Sequence, residues 1–181
     1  QNFLLLDKVA QSLAGRAYIS HLLPFSMAEL AGRRPCRVEA IGRMVPRIKS
    51  YEGSWLEAAQ RGFYPRIHDR GLDANEWLTQ YFQTYLERDV RGLAHVGDLE
   101  GFGRFVRLCA GRSGALLNLS SLGNDCGISH DTARRWLSVL EASFVVFRLP
   151  PYHQNFSKRL IKSPKPYFYD TGLLCCLLQI R

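Results

Sequence analysis

Between Leu116 and Leu174 the sequence holds two helical runs joined by a glycine turn and then switches to a strand-like period, and few folds satisfy that order. Ser120 to Cys126 reads as a short helix, Gly127 and Ile128 as a turn, and Ser129 as the N-cap of a longer helix. In that longer helix Ala133, Trp136, Leu137 and Leu140 recur at i, i+3, i+4 and i+7, so one stripe must face a core. The opposite face carries Asp131, Arg135 and Ser138, with Arg134 on its flank. Phe144 to Leu149 (FVVFRL) is then β-branched and aromatic, Pro150 and Pro151 end it, and Pro166 to Tyr169 (PYFY) begins a second strand. A helix-turn-helix followed by a two-stranded wing is the expected arrangement.

Such an arrangement suits DNA. A helix fits the major groove, and arginines on its outer face near the N-terminal half reach phosphates or guanine edges. Arg135 is placed to read bases, with Arg134, His130 and Ser138 as further contacts. Between the two strand-like runs Lys158, Arg159, Lys162 and Lys165 fall within eight residues with no acid among them, a composition that follows a phosphate backbone. A solvated basic loop is the alternative reading of that cluster. The net charge of +8 favours an anionic partner, a sign that ribosomal, membrane-surface and merely basic proteins share. A second basic stretch runs from Arg33 to Lys49, through Arg34, Arg37, Arg43 and Arg47.

Upstream, Asn2 to Ala14 reads as a helix, Ala17 to Leu23 as a short strand and Phe25 to Leu30 as a helix capped by Ser26. Together they resemble the edge of an α/β layer, which cannot stand alone. Gly53 to Ala59 and Ala74 to Leu93 are helical, and Trp77, Leu78, Tyr81, Phe82, Tyr85, Leu86, Val90 and Leu93 form an apolar stripe read as core. Glu87, Arg88 and Asp89 are placed on its polar side, paired with one another or holding a neighbouring domain. Leu99 to Gly111 buries Phe102, Phe105, Val106 and Cys109, and Asp170 and Thr171 cap a closing helix from Leu173 to Ile180. The fold class expected is mainly α with a small β component.

Several chemistries find no motif. Gly101 and Gly103 form a G-x-G without the rest of a phosphate fingerprint, and no phosphate loop occurs. Cys36, Cys109, Cys126, Cys175 and Cys176 include no C-x-x-C pair and lack histidines at ligand spacing, so reduced thiols and a cytoplasmic setting are expected, with no metal site. No apolar run approaches the roughly 18 residues of a membrane span. His21, His68, His95, His130 and His153 are scattered, and no catalytic set follows from their spacing.

The segments QNFLLLDKVAQSLAGR, LLPFSMAEL, QTYLERDV, LLNLSSLGNDCGIS and NFSKRLIKSPKPYFYDTGLL together resemble the large prokaryotic family of AAA+-like ATPases that carry a C-terminal domain of unknown function. The resemblance implies residues 1–30 as the C-terminal edge of an ATPase core, 31–98 as a helical lid or linker, and 99–181 as a winged-helix-like domain cut before a nuclease-like region. It implies ATP and Mg for an intact parent and none in this chain, since the Walker motifs would precede Gln1. Arg16 falls where an arginine approaches a γ-phosphate, or is a surface arginine at a helix end. Nuclease activity is not expected, because the acidic pair and lysine of that region would follow Arg181. RGFYPR, Arg61 to Arg66, departs from the family pattern, which has a double glycine and an acid after the proline. The expected function is a DNA-binding, inter-domain module coupled to nucleotide state, with DNA and a missing ATPase core or a second copy as partners, and no membrane. A protein-interaction module and an inactive remnant remain as alternatives.

Overall fold

The computed structural model describes residues 20–33, 54–93, 96–152, 154 and 162–180. Over these the chain is mainly helical, with a single small antiparallel sheet. The expected helix Asn2 to Ala14 and residues 17–19 of the expected strand lie outside the described residues. Residues 20–23 do not join a strand, which corrects that part of the expectation. Helix α1 (Met27–Leu30) follows, with Ser26 and Glu29 capping each other's backbone N–H groups. At four residues it is held by that reciprocal cap and buries no side chain.

Three helices then pack in succession. Ser54 caps α2 (Trp55–Arg61), which starts later than the sequence pattern indicated because the Ser54 hydroxyl accepts from Glu57 N at 3.3 Å. Helix α3 (Pro65–Arg70) was not expected. Pro65 occupies its first turn, where a missing N–H costs nothing, and Gly71 ends it at φ 60°. Asp73 caps α4 (Ala74–Thr84), which runs on through a π-helical stretch, Tyr85–Val90, into α5 (Arg91–Leu93). The extra residue in that wide turn rotates the following side chains relative to a regular helix. Asp89 is thereby buried, 9% exposed at its side chain, so it is not the surface residue that its spacing suggested. Arg88 Nε donates to its Oδ1 at 2.8 Å, while Glu87 pairs with Arg91 at 2.7 Å.

The second half builds the core. Asp98 caps α6 (Leu99–Gly111), and its Oδ1 takes the Gly101 N–H at 2.8 Å, so the G-x-G serves a helix start and not a phosphate. Phe102 and Phe105 are fully buried, each burial contributing about 1.5–3 kcal/mol, and Trp136 meets both edge-on at 5.4 and 5.6 Å. Trp136 belongs to α8 (His130–Ala142), reached from α7 (Leu119–Cys126) through Gly127 at φ 74°. The Ser129 side chain caps α8, and Ala133, Trp136, Leu137 and Leu140 are its buried stripe, as the spacing indicated. The turn is tight: a Cβ on Gly123 would lie 2.8 Å from the Ile128 carbonyl oxygen.

Phe144, at φ 57°, turns the chain from α8 into β1 (Val146–Leu149). Strand β2 (Lys165–Phe168) pairs with it in the register Val146 to Phe168, Phe147 to Tyr167, Arg148 to Pro166 and Leu149 to Lys165. Gly114 N and Leu117 N donate to the carbonyls of Pro166 and Pro164 at 2.8 and 2.9 Å, so residues 114–117 line the far edge of β2. Helix α9 (Thr171–Leu178) packs against α2, α4 and α6 and joins the two halves. It ends at Gln179, φ 56°, earlier than the apolar run. The joint is backbone on backbone, since a Cβ on Gly172 would lie 2.7 Å from the Gly62 Cα. Among the described residues no helix is long and apolar enough to cross a membrane.

Candidate nucleic-acid interface

The buried stripe of α8 leaves His130, Asp131, Arg134, Arg135 and Ser138 exposed. One flank of that exposed surface faces the hairpin. There, His130 and Arg134 of α8, Arg148 of β1, Lys162 and Asn118 line an open cleft of about 780 Å³, floored by Leu116 and Leu117. Each cation arrives from a different local cause. Ser129 starts α8 one residue before His130, which places Arg134 one turn further along the same flank. Arg148 shares the inward-facing side of β1 with Val146, yet lies beyond the core and reaches the cleft. Lys162 precedes Pro164, whose carbonyl is tied to Leu117.

The charges differ in how far they are already neutralised. Arg148 Nε donates to Glu141 Oε1 at 2.5 Å, across from β1 to α8. His130 Nδ1 lies 3.5 Å from Asp131 Oδ1. Arg134, Lys162 and Lys165 form no ion pair with any described residue. Elsewhere Arg112 is paired with Asp125, and Arg104 with Glu100 at 3.8 Å, both on exposed surface. The α8 and hairpin side thus carries cations with no ion pair to a described residue, and Arg61, Arg66, Arg70 and Arg107 elsewhere also have none.

The remaining expected contacts fall beside the cleft. Arg135 points along the outer face of α8, where its Nη2 donates to Thr132 Oγ1 at 3.3 Å. The Ser138 hydroxyl donates to the Arg134 carbonyl at 3.1 Å, leaving its oxygen free to accept. Lys165 is exposed at the start of β2, opposite Leu149 on the other face of the hairpin. Lys158, Arg159 and Arg16 lie outside the described residues, as do Arg34, Arg37, Arg43, Arg47 and Lys49. Arg148 was missed by the sequence reading. Its signal was a single cation in an otherwise apolar run, in register to leave the core at the strand's end.

Among the described residues no other set of reactive side chains is brought together. Burial pushes the Cys109 thiol up to about 12 and raises those of Cys126 and Cys175, which keeps all three protonated and poor nucleophiles. Cys109, Cys126, Cys175 and Cys176 are free thiols. Among the described residues no cluster of His, Cys, Asp or Glu is placed to hold a metal ion.

Residues 52–181 match the model of a domain of unknown function, DUF8612, and the chain belongs to that family. It is similar to the uncharacterized proteins Mb2031c of Mycobacterium bovis and Rv2008c of Mycobacterium tuberculosis, 31% identical to each over 179 residues. The match covers 98% of this chain and 38% of each relative, so the chain spans well under half the length of these relatives. No solved structure matches it.

Proposed function

We propose that residues 99–180 are a winged helix that grips duplex DNA, with α8 entering the major groove and the β1–β2 hairpin lying on the backbone. The element order supports this reading: a first helix, an edge segment, two helices joined by a tight turn, then a hairpin. The observation that carries it is the cleft itself. Three cationic side chains from three separate parts of the chain converge there, and Arg134 and Lys162 have no carboxylate partner among the described residues. In this reading Arg134, Arg148 and Lys162 hold phosphates and Arg135 reads base edges from the outer face. The chain would serve as the DNA-contacting, inter-domain part of a longer AAA+-like ATPase, whose own core would hold ATP and Mg.

The test is binding to a labelled random-sequence duplex across a salt series. About four phosphate contacts give a log-log slope near −3 to −4, and replacing both Arg134 and Lys162 by alanine should flatten it by about 1.8. A slope near zero rejects the reading. A protein-docking role is favoured by a different observation: Trp55 is 72% exposed and Leu56, Leu178 and Ile180 are exposed apolar side chains. Light scattering that shows oligomers dispersed by Trp55→Ser, with no DNA binding, would establish that role instead.

A further inference from the structure

The hairpin has a second face that duplex binding does not use. Val146, Pro166 and Phe168 turn into the core, so Phe147, Leu149, Lys165 and Tyr167 share the opposite face. Tyr169 extends it, because its N–H donates to the Val145 carbonyl at 3.1 Å and continues the ladder. A half-solvated antiparallel pair normally carries polar side chains outward. Here two of the four outward positions, Phe147 and Tyr167, are half-buried rings. Phe147 stacks on Tyr167 at 5.7 Å and 23°, and packs on Tyr169 at 4.9 Å. Tyr169 meets Phe144 at 5.9 Å, and His21 meets Phe144 at 5.0 Å.

We propose that this aromatic face is a stacking platform for unpaired bases, so that the DNA held by the cleft is a duplex bearing a single-stranded tail. The proposal rests on the DNA reading of the cleft. Charge selects the occupant: the two strands carry no carboxylate, and the one charged side chain on the ringed face is Lys165. An aromatic face edged by a cation fits bases with phosphates between them, and is sequence-tolerant because every base has a π-face. The two surfaces are within one short span of chain of each other. Lys162 lines the cleft and Lys165, three residues on, stands on the platform side, so a backbone leaving one meets the other. Successive outward positions along a strand are about 6.6 Å apart, room for one unstacked nucleotide per step.

Two DNAs with the same duplex, one blunt and one carrying an unpaired tail with 2-aminopurine, test this with the 181-residue chain. Wild type should bind the tailed DNA at least about fivefold more tightly and quench the probe. Phe147→Leu and Tyr167→Leu, checked by thermal melting, should lose the tail preference and the quenching while blunt-duplex affinity stands. Tyr167→Phe, which keeps the ring, should retain both. Equal affinity of wild type for the two DNAs would overturn the platform and leave the cleft reading intact. Tail preference surviving in the leucine variants, or a dimer that those variants dissociate, would also overturn it. Quenching of the tail without blunt-duplex binding, unaffected by Arg134→Ala, would strike the cleft reading alone.

Discussion

The cleft beside α8 and the joint around Asp170 are both built on polar side chains, and they treat them in opposite ways. Asp170 is 1% exposed, and its carboxylate accepts from Phe63 N at 2.6 Å and Leu173 N at 2.7 Å. One side chain thus caps α9 and fastens the loop between α2 and α3, 107 residues away. His68 Nε2 donates to the neighbouring Gly62 carbonyl at 2.8 Å, closing the same turn. Of the buried side-chain polar atoms there, only the Thr171 hydroxyl lacks a partner among the described residues. In the cleft Arg134 and Lys162 are exposed and unpaired, held in place by the elements that carry them and not by partners. Polar groups that hold a fold are satisfied internally, whereas groups that await a partner keep their capacity free.

Breaking the joint should have the largest effect. Asp170→Ala removes a cap and leaves two buried N–H groups unpaired, an expected loss of about 3 kcal/mol in urea unfolding. Gly172→Ala should cost about 2 kcal/mol, because its Cβ would press on the backbone of Gly62 and rigid backbone cannot yield as a side chain would. Neither change should alter the salt slope of DNA binding by the chain that remains folded. An equal loss of both properties would show the two regions to be one functional unit.

The joint also has its own pH signature. Burial pushes the Asp170 carboxyl above its ordinary value, against the pull of the Phe63, Leu173 and Gly172 N–H groups and of His68. The folded chain therefore keeps this proton at a pH where the unfolded chain has lost it. The group's contribution is fully present below the unfolded value of about 3.9 and declines as pH rises to the raised folded value, then levels off. Stability of Asp170→Asn, measured by urea unfolding through the acid range, should lack that decline. A decline that persists in the variant would assign it to another carboxyl group.

What the sequence revealed of each region follows from how local its physics is. The α7–α8 unit was legible because a cap, a left-handed glycine and a 3.6-residue stripe all lie within 25 residues and agree. Helix α3 was not, because six residues with Ile67 as their one buried side chain contain no repeat to detect. Asp89 was misplaced because a regular helical period was carried through a π-helical stretch. Asp170 was read as the cap of a helix start, but its burial and its hold on Phe63 depend on a contact that no local pattern encodes. In the cleft, His130, Arg134 and Lys162 were chosen for charge and position, and their convergence with Arg148 appears only once the hairpin folds back on α8.

The smallest expected effect sharpens the comparison most, because it tests the cleft arginine that is internally paired. Glu141 holds Arg148 at 2.5 Å, and the pair is partly exposed, 25% at the carboxylate and 47% at the guanidinium. A pair in that setting contributes at most about 1 kcal/mol to stability, so its removal should leave unfolding nearly unchanged. Its effect on a phosphate is larger in proportion, since the carboxylate both occupies the guanidinium and repels the ligand. Glu141→Gln keeps the side-chain shape and can still accept a hydrogen bond from Arg148, but removes the negative charge. Affinity for duplex DNA should then rise a few-fold and the salt slope should steepen by up to roughly 0.9, as the phosphate that meets Arg148 no longer competes with Glu141 for it. If the slope stays as in wild type, Arg148 belongs with Asp170 among the groups that hold the fold, and the cleft's free cations reduce to Arg134 and Lys162.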